Sequence, residues 1–176
     1  MTKHLPKTHL KKIVFSIFLF CAISIGHSQE LKFFANGEIL GGVSNPFLGP
    51  GVGLESSIGK HFTMNVDLHV GFNENGTAYQ FRPAVHYYFS KEQKGIFVGP
   101  SLKYIRFTEK DNLDLFHDNV YTVGFTLGVK SYIKENLSYI FSVAPHYAIG
   151  ASTSPGRQAL GSIGGIGFNF GIGYRF

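Results

Sequence analysis

The stretch GGIGFNFGIGYRF, residues 164–176, closes the chain on a strict two-residue alternation. Ile166, Phe168, Phe170, Ile172, Tyr174 and Phe176 hold one parity; Gly165, Gly167, Asn169, Gly171, Gly173 and Arg175 hold the other. Successive side chains of a β-strand point to opposite faces, so this segment predicts a strand with one bulky apolar face and one nearly bare face. The same period runs upstream. Phe62, Met64, Val66, Leu68, Val70 and Phe72 interleave with small or polar residues. So do Tyr79 to Phe89, Tyr121 to Val129 and Leu137 to Ile149. Period two over such lengths predicts strands.

The alternation predicts eight strands, near 32–43, 51–59, 61–72, 77–89, 95–107, 119–133, 137–150 and 160–176. The connections fall into two kinds. Those at 59–61, 90–94 and 134–136 are tight and mostly lysine-bearing, whereas 44–50, 108–118 and 151–159 are longer. The remaining one, Asn73-Glu74-Asn75-Gly76, carries an Asn-Gly hairpin signal. With an even strand count both chain ends fall at the short-turn end. This is the plan of an all-β, eight-stranded, antiparallel up-and-down transmembrane β-barrel, with short periplasmic turns and longer outer loops.

Alternation alone does not say which face is outside, because a soluble barrel alternates with its apolar face inward. Three features favour lipid. Only 15% of the chain is charged, against about 25% for an average soluble protein. The polar face is mostly Gly, Ser, Thr, Asn and Ala, too weakly charged for a water-facing surface. The apolar face is too bulky for the narrow interior of an eight-stranded barrel. Aromatics also recur near both strand ends: Phe33, Tyr87, Phe89, Tyr139, Tyr174 and Phe176 at one, Phe72, Tyr79, Tyr104, Tyr121 and Tyr147 at the other. Two such girdles flank the apolar band of a transmembrane barrel. Pro83, Pro100 and Pro145 interrupt predicted strands; each removes a ladder donor, so local irregularities or bulges are expected there.

In these features, and in the ending Tyr174-Arg175-Phe176 with Ile172 and Phe170 before it, the chain resembles the small bacterial outer-membrane β-barrel proteins of the OmpA/OmpX kind. The resemblance covers residues 31–176. It implies that Phe170, Ile172, Tyr174 and Phe176 form the recognition signal for the barrel-assembly machinery. The group is functionally diverse, so the resemblance speaks to class and location more than to role.

The other end fits export. Residues 1–12 carry Lys3, Lys7, Lys11 and Lys12 and no acid, an apolar run covers 13–25, and Gly26-His27-Ser28 offers a small-residue cleavage site. This pattern reads as a secretory signal peptide over 1–28, leaving a barrel domain over 29–176. The apolar run is short for a spanning helix. Bulky Phe20 before Cys21 argues against lipidation. Removal of 1–28 takes away 4 of the 16 basic residues and none of the 11 acids, leaving a net charge of +1. The basic isoelectric point is therefore no sign of nucleic-acid binding. Cys21 is the only cysteine, so disulfide and thiolate chemistry are not expected in the exported chain. No second domain is expected beyond the barrel.

The inward parity carries the candidate chemistry. Glu38, Glu55 and Asp67 lie on strands one to three; Arg82, Lys103 and Lys130 lie on strands four to six, and Arg175 on the last. An acidic wall should thus face a basic one. Glu38, Glu55, Asp67 and Arg82 are expected near mid-height, with Lys103 above and Lys130 below. Buried ions must pair or they cost several kcal/mol each, so a lumen ion-pair network is expected. It would act either as a polar filling or as a gate opened by exchange of partners. His69, His86 and His146 share this face and read as hydrogen-bonded core histidines. They lack close metal-ligand spacing, and no metal or other cofactor is expected.

An enzyme is the weakest reading. Nucleophilic catalysis needs a Ser with a His in reach, and the mature sequence has no His-x-Ser. Ser142 and His146 are four residues apart on one strand, about 13 Å. The segment TEKDNLDLFHDN, 108–119, is acidic with apolar residues inside it. Asp111, Asp114, Phe116 and Asp118 are its candidate surface-loop contacts, for a protein partner or for divalent ions bridging lipopolysaccharide. The expected protein is a monomer in the bacterial outer membrane, surrounded by lipid and lipopolysaccharide. Its expected role is structural, or surface contact with an unidentified ligand through loops one, three and four. A narrow channel for small solutes or ions is the second reading and a lipid-modifying enzyme the third.

Overall fold

The computed structural model describes residues 29–40, 45–74, 76–110, 115–152 and 164–176, without the side chains of 109, 110 and 115–118. The signal segment 1–28, Cys21 included, lies outside the described residues, as do Asp111 and Asp114. Eight strands follow in order: β1 (Gln29–Leu40), β2 (Phe47–Ser57), β3 (Phe62–Asn73), β4 (Gly76–Tyr88), β5 (Gly95–Lys110), β6 (Leu115–Lys134), β7 (Leu137–Ser152) and β8 (Gly164–Arg175). Each pairs antiparallel with its sequence neighbours, and β8 pairs with β1, closing the barrel. The terminal alternating strand is thus the closing stave, with Ile172 opposite Phe33 and Asn169 opposite Asn36. Closure leaves no edge, as lipid demands of a spanning sheet.

The two faces sort as the alternation predicts. The outer face carries Phe125 and Tyr147, 63% and 65% exposed, while Asn65 and Glu38 on the inner face are fully buried. An outside this apolar with an inside this polar is the inverse of a soluble globule. It fits a hydrocarbon surround.

Three expectations need correction. The segment 108–118 is not all loop: β5 runs to Lys110 and β6 starts at Leu115, with Thr108 opposite His117. Phe116 and Asp118 are therefore strand residues, although their side chains are outside the description. The three prolines bring the expected irregularity without a bulge: each falls in a gap of one ladder, and the register is the same on both sides of it. Pro100 stays in register opposite Phe125. The β4–β5 ladder skips Arg82 and Pro83 yet resumes in the same register at Ala84↔Ser101. Register shifts fall elsewhere, between Tyr121 and Thr122 and between Tyr132 and Lys134. β2 begins at Phe47, inside the stretch read as a loop, and β1 begins at Gln29 rather than near 32.

The inner face is also less polar than expected. Leu40, Phe47, Ala78, Ile105, Phe107 and Val120 form a buried apolar cluster at the outer mouth. Phe34, Tyr88, Phe97 and Ile140 form a second one lower down. Phe47 and Phe107 meet across the mouth with ring centroids 5.4 Å apart.

The bare face of β8 has a packing role. A Cβ on Gly173 would lie 2.0 Å from Glu30 Oε1, and one on Gly167 2.8 Å from Glu38 Oε2 and 3.1 Å from Lys103 Nζ. On β2, a Cβ on Gly53 would lie 2.0 Å from Asp67 Oδ1. Glycine on these staves gives long charged side chains from other strands room to lie across the lumen.

Candidate functional site in the lumen

Four carboxylates (Glu30, Glu38, Glu55, Asp67) and four cations (Lys32, Arg82, Lys103, Lys130) are buried inside the barrel. They form a ladder along its length. At the periplasmic end Glu30 and Glu55 are direct cross-strand partners on β1 and β2. Like charges placed opposite each other destabilise a sheet. Lys130 from β6 reaches both, 3.3 Å from Glu30 Oε2 and 2.7 Å from Glu55 Oε1. Its ammonium also lies 4.9 Å from the Tyr88 ring centroid, a favourable cation–π distance. Tyr88 donates its hydroxyl to Glu55 at 2.9 Å.

One step higher, Lys32 lies 3.6 Å from Glu55 and 3.3 Å from Asp67, and it donates to Asn65. Asp67 then accepts from Arg82 at 2.7 Å. Arg82 meets the closing seam. With the Asn169 amide oriented to satisfy its neighbours, its oxygen accepts from Arg82 at 2.9 and 3.1 Å and its nitrogen donates to Asn36 at 2.8 Å. Near the outer end Glu38 accepts from Lys103 at 2.6 Å and pairs with His146.

The structure brings six of the expected ion-pair residues into this ladder, with Asp67, Arg82, Lys103 and Lys130 at the expected heights and Glu38 and Glu55 away from theirs. Glu38 lies opposite Phe47, the first residue of β2, and meets Lys103 near the outer end; Glu55 lies low with Lys130. Arg175 joins the network only at its edge, partly exposed. It sits at the periplasmic mouth, 3.9 Å from Glu30, and donates to Tyr132. Glu30 and Lys32 belong to the ladder, although the sequence reading omits them. Both share the parity of Glu38, so the alternation that places Glu38 inward places them too. Lys32 also breaks the division into an acidic and a basic wall, since it stands on the acidic side.

The histidines divide. His86 hydrogen-bonds Asn65 at 2.8 Å and His146 bonds Glu38, but both ring nitrogens of His69 lack partners. His69 packs instead against Phe34, with centroids 5.8 Å apart. Gln80, its cross-strand neighbour, also has neither amide atom bonded. Ser142 donates its hydroxyl to the same Asn169 oxygen at 3.2 Å. Among the described residues no three His, Cys, Asp or Glu side chains are grouped to hold a metal ion. Phe170, Ile172, Tyr174 and Phe176 all point away from the lumen, between 49% and 67% exposed.

Buried charge this complete serves structure first. Opposite charges in a low-dielectric interior attract strongly, yet their desolvation offsets much of the gain. What the ladder supplies is a single solution: each ion is satisfied only when every stave is in register.

Several solved structures share the fold. Neisserial surface protein A is 14% identical, with 86% of this chain and 97% of that one covered at a TM-score of 0.65. The N-terminal β-barrel domain of OprF from Pseudomonas aeruginosa is 15% identical, with coverage of 85% and 98% and a TM-score of 0.59. The outer membrane protein OprG from Pseudomonas aeruginosa is 12% identical, with coverage of 85% and 96% and a TM-score of 0.55. No curated protein sequence is significantly similar. The chain has the small outer-membrane barrel fold, and by the family model that matches residues 17–175 it belongs to the family described as "Protein of unknown function (DUF3575)".

Proposed function

We propose that the protein is a sealed outer-membrane barrel whose role is structural or lies in surface contact, and that it passes no solute. The observation that carries this reading is the filling of the lumen. A ladder of paired ions runs from Glu30 to His146, and the apolar cluster of Phe47, Phe107 and Ile105 lies beyond it at the outer mouth. A polar filling holds ions in fixed partnership, and an apolar constriction repels water. The lipid-facing row Phe170, Ile172, Tyr174 and Phe176 suits recognition by the assembly machinery, as its resemblance to the terminal strands of related barrels implies. Lipopolysaccharide and an unidentified surface ligand are the partners proposed for the outer end. The barrel is taken to act as a monomer without a catalytic role.

Proteoliposomes test the reading. Vesicles containing the refolded protein should not swell in isotonic arabinose or glycine beyond empty vesicles. Swelling that scales with protein content would favour the narrow conduit. The unbonded His69 and Gln80 are the observation on that side, because unsatisfied buried groups invite water.

A further inference from the structure

We propose that a pocket at the periplasmic rim binds the phosphate of an anionic phospholipid. The pocket has a volume of about 390 Å³, and its lining includes Ile58, Lys60, Lys91, Gln93 and Arg175. It lies between the β2–β3 and β4–β5 turns, and a buried glutamine ties those turns together. Gln93 adopts a left-handed backbone, φ 54°, which turns its side chain under the neighbouring hairpin. Its amide donates to Ser57 Oγ at 2.6 Å and to Gly59 O at 2.7 Å. This clasp fixes the turn that carries Lys60 against the turn that carries Lys91.

The charge is unbalanced. Glu92 is the carboxylate in the lining, and it is paired with Lys94. Among the described residues neither Lys60 nor Lys91 has an ion-pair partner. Two free ammonium groups around a concavity, beside an Arg175 guanidinium already held by Glu30 and Tyr132, suit a phosphate.

The surroundings favour a lipid as the source. An aromatic cluster lies on the outer face beside the same turns. Phe62 and Tyr87 are 5.1 Å apart, Tyr87 and Phe89 5.4 Å, and His61 stacks on Tyr87 at 5.5 Å. Aromatic belts sit at the interface between hydrocarbon and headgroups, which puts the lysines at headgroup depth. Ile58, 46% exposed, gives the pocket an apolar wall on which glycerol and the upper acyl chain can rest. Basic pockets at this depth recognise anionic headgroups.

The inference rests on the membrane placement of the barrel, and the test separates the two. The purified protein is refolded in detergent and its folding checked by heat-modifiable gel migration. Native mass spectrometry then compares phosphatidylglycerol with phosphatidylethanolamine of the same chains. Phosphatidylglycerol should be retained preferentially. Lys60→Gln and Lys91→Gln should each weaken it on the order of fivefold. Gln93→Ala, which loosens the clasp, should weaken it less, and Lys134→Gln, on another turn, should leave it unchanged. Equal retention of the two lipids, an unaffected Lys60→Gln/Lys91→Gln variant, or an equal loss in Lys134→Gln would overturn the proposal. So would displacement of the lipid by an equal concentration of glycerol phosphate, which would make the pocket a site for soluble phosphate. Failure of the wild-type protein to refold in any micelle would overturn the membrane placement itself.

Discussion

The two ends of the lumen solve the same problem with different chemistry. The periplasmic part and the middle hold ions packed against Phe34, Tyr88, Phe97 and Ile140, and each carboxylate there touches a cation. The outer mouth is filled by Leu40, Phe47, Ile105, Phe107 and Val120, with the unbonded His69 and Gln80 in the outer half of the lumen below them. The ionic part is specific and intolerant, because removing one member strands its partner. The apolar part is non-directional and can repack. The barrel is therefore pinned from below and stoppered from above.

The contrast can be broken by substitution. Lys130→Ala should have the largest effect, since it leaves Glu30 and Glu55 facing each other across β1 and β2. Breaking a buried pair costs about 3–5 kcal/mol, read as a lower urea midpoint in unfolding from micelles. An unchanged midpoint would show that the ladder is not held together by Lys130. The glycine staves come next. Gly167→Ala and Gly173→Ala push a methyl into the Glu38–Lys103 pair and against Glu30, and overpacking of this kind costs about 1–3 kcal/mol. By contrast Gly59→Ala, where a Cβ meets nothing within 4 Å, should leave the midpoint where it is. If all three variants unfold alike, the idea that glycine makes room for the ladder fails.

The smallest expected effect sharpens the comparison from the other side. His69→Leu removes two buried nitrogens that bond nothing and replaces them with carbon. Replacing unsatisfied polar groups by apolar ones is close to neutral or mildly stabilising, within about 1 kcal/mol. A loss as large as that of Lys130→Ala would mean that His69 has a partner essential to the fold, such as an ordered water.

Much of this architecture is legible in the sequence because lipid enforces it. A spanning strand must put apolar side chains outward at every second position, so parity alone assigns Glu38, Asp67, Arg82 and Lys103 to the interior. The same rule fails where the constraint ends. Past Phe107 β5 and β6 continue through Thr108 and His117, but the apolar alternation stops at Thr108-Glu109-Lys110 and the polar sequence looks like loop. Consecutive aromatics also hide the inward member: Phe34 beside Phe33, and Tyr88 between Tyr87 and Phe89, belong to the lumen although either parity reads as apolar. Which ion meets which is not in the pattern at all. It depends on the stagger of the staves, which sets Glu38 against Lys103 near the outer end and Glu55 against Lys130 near the other.

The central claim, that this lumen is filled and closed, is tested most directly by single-channel recording of the refolded protein in a planar bilayer. Insertion, verified by protease protection of the same preparation, should be accompanied by a flat current trace at either polarity. Reproducible unitary steps that vanish without protein would contradict a sealed barrel, and would turn the ladder from Glu38 to Lys130 into the wall of a conduit.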